Sequence, residues 1–156
     1  MSRTIRHLEE EWEVEATGTG VASGFDVVPD ASNWGLVFRR VSNPRKGSFR
    51  GSLHSVGAPD VARVPEADLA RSLDVAVSEA KAELVRALED PKWDWRTAEG
   101  AAKDTGLSPD QVLYILESDP GTFIRSRVPD SNGRPLYSTR DRYAQRRGFL
   151  DRLRST

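Results

Sequence analysis

Arg125, Arg127, Arg134, Arg140, Arg142, Arg146 and Arg147 lie close together towards the C-terminal end of the chain. A guanidinium is planar, permanently charged and donates its hydrogen bonds in a fork that fits carboxylate and phosphate oxygens. Such a cluster can hold the phosphates of a nucleic acid or the acidic surface of a protein. It can equally be a solvated basic face whose charges pair with Asp130, Asp141 and Asp151. Arg125 and Arg127 stand two apart, so a strand would carry both on one face. The candidate contacts to phosphate, or to an acidic partner, are Arg125, Arg127, Arg134, Arg140 and Arg142.

Other combinations reach towards chemistry and stop short. Thr17 to Gly24 reads TGTGVASG, a glycine-rich run without the Lys-Ser/Thr that completes a phosphate loop. The dinucleotide spacing fails as well, because Ser23 stands where the third glycine belongs. His54 has Ser52, Ser55 and Asp60 as sequence neighbours, but a nucleophilic triad is defined by geometry and not by proximity in sequence. The polar face of an edge strand accounts for His54 without catalysis, and His7 is expected in solvent. Glu9, Glu10, Glu11, Glu13 and Glu15 read as a soluble face rather than as paired catalytic carboxylates. Trp93 and Trp95 could stack on bases, although packing against the core is the simpler use of two tryptophans.

Composition narrows the classes further. The chain has 156 residues, 37% hydrophobic and 30% charged, the balance of a globular protein. It has no cysteine and two histidines, which excludes disulfides and thiolate zinc sites. No metal or cofactor is expected. No apolar run is long enough to span a membrane, and the segment MSRTIRHLEEEWEVE lacks the apolar core of a secretory signal, so a cytoplasmic location is expected. Net charge is −1, but unevenly placed: residues 1–90 hold 11 basic and 15 acidic side chains, and residues 91–156 hold 12 and 9.

The elements that must position these residues follow from periodicity. Glu11 to Ala16 alternates, with Trp12, Val14 and Ala16 on one face of a strand. Trp34–Val41 and Ser48–Val56 read as two strands joined by the turn Ser42–Gly47. Pro65 suits a first helical turn, and a long helix then spans residues 66–89, its stripe formed by Leu69, Leu73, Ala76, Val77, Ala80, Leu84 and Leu88, until Pro91 stops it. Residues 1–90 are therefore expected to be an α+β module, a small sheet with one long helix.

After Pro91 the signals sharpen. Thr97 caps a helix to about Thr105, Ala98, Ala101 and Ala102 face inward, and Gly106 allows the turn. Ser108-Pro109-Asp110-Gln111 is a capping box with proline at the first helical position. It opens a second helix that buries Val112, Ile115 and Leu116 and ends at Asp119-Pro120-Gly121. Phe123–Val128 and Leu136-Tyr137 form a hairpin around Asn132-Gly133. Ser138 or Thr139 caps a last helix packed through Tyr143, Phe149, Leu150 and Leu153.

The blocks WRTAEG, TGLSPDQV, FIRSRVPD and GRPLYSTRDRY resemble a winged helix-turn-helix domain found in many bacterial proteins, including those of stress-response and antiphage conflict systems. The resemblance implies that residues 91–156 are such a domain and that the chain acts by binding, not by catalysis. In a DNA-reading domain of this type the second helix enters the major groove. Here that helix would present Pro109, Asp110, Gln111, Tyr114, Glu117 and Ser118, none basic and two acidic. Carboxylates oppose the electrostatic attraction on which DNA affinity rests. The expected function is thus a non-enzymatic interaction or adaptor protein of a regulatory or defence assembly, docking protein partners. The alternative is a nucleic-acid-binding regulator that grips phosphates through the basic wing.

Overall fold

The computed structural model of the chain describes residues 2–19, 32–42, 48–55 and 59–154. Most of the glycine-rich run to Gly24, the turn residues Asn43–Gly47, and Val56 lie outside the described residues. Among the described residues the fold is mixed α+β, with a four-stranded antiparallel sheet, a two-stranded one and four helices. Among the described residues no helix is long and apolar enough to cross a membrane. Internal contacts divide the chain into two units, Met1–Glu79 and Ala80–Thr156. The division falls within a helix, ahead of Pro91.

The first unit is the sheet β1 (Ser2–His7), β2 (Glu10–Thr19), β3 (Ser32–Arg40) and β4 (Ser48–Ser55), in that order, with the start of helix α1 (Glu66–Leu88). Alternation sends Ile5, Trp12, Val14, Leu36, Phe38 and Phe49 into the core, where Trp12 and Phe49 meet edge to face at 6.0 Å. Glu11 is exposed on the opposite face, Glu13 and Glu15 are half-buried there, and Arg39 pairs with Glu15 at 2.8 Å. Helix α1 crosses the apolar face. The Ser72 hydroxyl donates to the Ser52 carbonyl at 2.9 Å, the Glu66 carboxylate accepts from the Arg6 amide, and His7 Nε2 lies 2.6 Å from Asp74. His7 is therefore bonded to α1, not free in solvent. Gly51 permits this approach: a Cβ there would stand 3.0 Å from the Phe38 ring and 3.1 Å from the Ser72 carbonyl oxygen.

Strand β1 is the element that sequence patterning does not anticipate. It carries one buried apolar residue, Ile5, and is joined to β2 by Leu8 and Glu9, neither a turn former. The register pairs His7 with Glu10, so the connection is a two-residue hairpin loop, and both loop residues have positive φ (54° and 62°). That is the turn type whose twist suits a hairpin, normally built from Asn-Gly.

In the second unit α2 (Ala98–Thr105) is capped by Thr97, whose hydroxyl accepts from the Gly100 amide at 3.1 Å. Gly106 closes it at φ 71°, a conformation a side chain resists. Helix α3 (Pro109–Ser118) opens on the reciprocal box: Gln111 N–H donates to Ser108 Oγ at 3.1 Å, and Ser108 N–H donates to Gln111 Oε1 at 2.8 Å. Strands β5 (Phe123–Arg125) and β6 (Tyr137–Thr139) pair antiparallel, and α4 (Arg140–Arg154) follows at once, capped by Thr139 Oγ1 on the Arg142 amide. The ladder is shorter than expected on one side and shifted on the other, because Ser126 turns its hydroxyl back onto the Val128 amide and ends β5. The hairpin tip is also wider than a two-residue Asn-Gly turn. Only Gly133 has positive φ (76°), and the Asp130 carboxylate accepts from the Asn132 and Arg134 amides. Phe149 and Leu150, expected to pack, are 62% and 53% exposed.

Replacing Leu8-Glu9 by Asn-Gly should raise the stability of the chain by about 1–2 kcal/mol, since each positive-φ residue with a Cβ costs on the order of 1 kcal/mol. Leu8 is half exposed and loses little burial. Urea denaturation checks this; an unchanged or lower midpoint refutes the strain.

Candidate functional site: an arginine cleft beside the β5–β6 hairpin

The site is organised by an arginine outside the clustered set. Arg96 is 8% exposed. Its backbone exchanges two hydrogen bonds with Tyr137, at 3.0 and 2.7 Å, laying residue 96 against β6. Its guanidinium donates to the Gly100 carbonyl at 2.9 Å, to Asp104 at 2.5 Å and to the Ala87 carbonyl at 3.3 Å, with the Trp93 ring 5.2 Å away. One residue thereby ties the end of α1 to both ends of α2 through its side chain, and to the hairpin through its backbone. Trp93 covers this guanidinium while remaining 47% exposed, and Trp95 is half-buried with its ring 5.8 Å from that of Tyr143.

The seven clustered arginines divide into two groups. Arg134 closes the hairpin tip, with Nε at 2.8 Å and an Nη at 2.7 Å from Asp130. Arg140 Nε donates to the Pro120 carbonyl at 2.6 Å. Arg142 donates to the Glu89 carbonyl at 3.1 Å and lies 3.9 Å from Asp94; Arg146 reaches the same carboxylate at 2.7 Å. These four hold the unit together. Arg125 and Arg127 are exposed and have no ion pair or hydrogen bond from their side chains among the described residues. Arg147 lies 6.0 Å from the Tyr143 ring centre, with no carboxylate partner among the described residues.

The three unpaired guanidiniums converge. A cleft of about 750 Å³ is lined by Trp95, Arg125, Arg127, Tyr143 and Arg147, among others, and by no carboxylate. A smaller recess of about 200 Å³ shares Trp95, Tyr143 and Arg147 and adds Leu150, Ser138 and the Asp94–Arg146 pair. Ser138 is 2% exposed, and its Oγ has no hydrogen-bond partner among the described residues. A buried hydroxyl left in that state costs roughly 1–3 kcal/mol.

The face of α3 is a poor ligand surface. Tyr114, expected to be presented on it, is 8% exposed, because the buried arc of α3 is wider than the stripe Val112, Ile115 and Leu116. Gln111 is engaged in the capping box. Pro109, Glu117 and Ser118, exposed, and Asp110, partly exposed, are what remain of the expected set. In the first unit a cleft of about 410 Å³ between β4 and α1 brings Arg50, His54, Asp68, Arg71 and Glu79 together, with both charges mixed along it and Arg71 bonded to Asp68.

Three carboxylates in the second unit titrate low. Lys81 and then Thr122, as hydrogen-bond donors, hold Asp119 below its ordinary 3.8. The Arg96 hydrogen bond does the same for Asp104, and the Arg134 amide leads for Asp130. Burial pushes the Tyr137 hydroxyl up. No protein-family model, curated protein or solved structure matches the chain.

Two consequences can be measured. Arg96→Ala should cost about 2 kcal/mol, at the scale of one charged hydrogen bond, because Asp104 is half exposed and regains water; a loss below about 0.5 kcal/mol in chemical denaturation contradicts its organising role. A carboxylate whose folded pKa is depressed stabilises above its unfolded pKa and loses that contribution as pH falls through the folded value. The thermal midpoint should therefore drop as pH is lowered from about 5 to about 3, and Asp119→Asn should flatten that slope. An identical slope in the variant rejects Asp119 as a source.

Proposed function

We propose that the chain is a non-enzymatic interaction protein of a bacterial regulatory or defence assembly, and that its second unit is a winged helix-turn-helix used to dock a protein partner. The order of elements supports the domain. The end of α1, the single bridge at Arg96, α2, α3, β5, the hairpin loop and β6 run in the order helix, bridge, helix, helix, strand, loop, strand. The tight turn at Gly106 and the packing of α2 on α3 support the helix-turn-helix reading.

The observation that carries protein docking is the surface of α4. Phe149 and Leu150 are adjacent, large, apolar and more than half exposed, on a helix that is otherwise strongly polar. Exposed apolar surface rimmed by charge is characteristic of protein–protein interfaces. The polar surface of α3 agrees with this reading, since Asp110 and Glu117 repel phosphates where a groove-reading helix needs cations.

A second reading, a nucleic-acid-binding regulator acting through the wing, is favoured by the exposed and unpaired state of Arg125 and Arg127.

Docking through α4 predicts that Phe149→Glu/Leu150→Glu abolishes a stoichiometric complex while leaving the fold intact, as these side chains contribute little to the core. The test is in-cell crosslinking and co-purification from the native host, wild type against variant, with circular dichroism as the folding control. Recovery of the same partner in the same ratio by both proteins, or of none by the wild type, overturns it.

A further inference from the structure

The arginine cleft and the recess beside it offer different chemistry at two adjoining places. The cleft offers three guanidiniums without a carboxylate, an anion site of the kind that tracks a phosphate chain. The recess offers flat aromatic walls from Trp95 and Tyr143, an apolar contact from Leu150, and a buried hydroxyl on Ser138 that nothing among the described residues satisfies. A planar, hydrogen-bonding ring attached to phosphates meets both sets of demands.

We propose that this pair of cavities binds single-stranded nucleic acid, with one unstacked base in the recess, its edge on Ser138 Oγ, and the flanking phosphates on Arg125, Arg127 and Arg147. The proposal rests on the nucleic-acid reading above and narrows it. A duplex keeps its bases stacked and paired, and a base must leave the stack to enter such a recess. The carboxylates of α3 further oppose insertion of that helix into a groove. An acidic peptide would satisfy the guanidiniums, but its carboxylates make no use of an aromatic recess with a hydroxyl in its wall. The cleft is open and several times larger than the recess, which leaves room for the chain to continue on either side of the bound base.

The test is fluorescence anisotropy on the full chain with a labelled single strand of about ten nucleotides, within the range of known single-strand site sizes. A duplex of the same sequence, ATP and a poly-glutamate peptide serve as competitors. The single strand should compete better than any of the three. Its affinity should fall about fourfold for each doubling of salt, as expected for three phosphate contacts on a single strand. Arg125→Ala/Arg127→Ala should reduce that fall to under twofold. Ser138→Ala separates ligation from folding: it should weaken binding about five- to tenfold, the loss of one hydrogen bond, yet leave the thermal midpoint equal or higher, because it removes an unsatisfied buried hydroxyl. Equal binding of duplex and single strand overturns the single-strand assignment and leaves the broader nucleic-acid reading standing. Equal binding of ATP makes the recess a free-nucleotide site and overturns the strand. Failure of every oligonucleotide, with or without binding of poly-glutamate, overturns both. A Ser138→Ala variant that melts lower and binds unchanged removes the base from the recess.

Discussion

The second unit depends on burying one cation. Arg96 has to be desolvated for Trp93, the end of α1, α2 and β6 to meet, and a buried charge is tolerated only when its hydrogen-bonding capacity is met. Two backbone carbonyls, one carboxylate and an aromatic ring meet it, all supplied by residues between Ala87 and Asp104. The same residue's backbone adds its bridge to β6. The side chain therefore joins the end of α1 to α2, the backbone of the same residue joins them to β6, and Trp95, next in sequence, lies against Tyr143.

The arginine-rich end of the chain then reads as a division of labour. Arg134, Arg140, Arg142 and Arg146 are bonded to Asp130, to the Pro120 and Glu89 carbonyls and to Asp94, and hold the hairpin and α4 in place. Of the seven clustered arginines, this leaves Arg125, Arg127 and Arg147 without a carboxylate or carbonyl partner among the described residues. The same economy applies to α3, whose glutamine caps its own helix and whose tyrosine is buried. What remains for a ligand is the hairpin side of the unit and the apolar residues of α4.

The sheet unit illustrates how close packing overrides local preference. Leu8 and Glu9 adopt positive φ because the register that buries Ile5 opposite Trp12 demands a two-residue connection. The core then anchors α1 through Ser72 and Asp74, and Gly51 leaves the helix the room it needs. Buried apolar contact of this order outweighs a strained pair of torsions.

Local chemistry made much of the fold legible. The alternation at Trp12 and Val14, the stripe from Leu69 to Leu88, the Thr97 cap, the Gly106 turn and the Ser108–Gln111 box are each set by residues within one or two turns of one another, and the structure contains them all. The arginine cluster was equally visible as a run of charge. Which arginines are unpaired was not, because Asp94 lies far from Arg146 in sequence and Pro120 far from Arg140, and only the folded chain brings them together. The burial of Tyr114, the exposure of Phe149 and the unsatisfied hydroxyl of Ser138 have the same origin. A sequence specifies what each residue can do within its own helix or strand; neighbours from elsewhere in the chain decide which of those capacities are already filled and which still face a ligand.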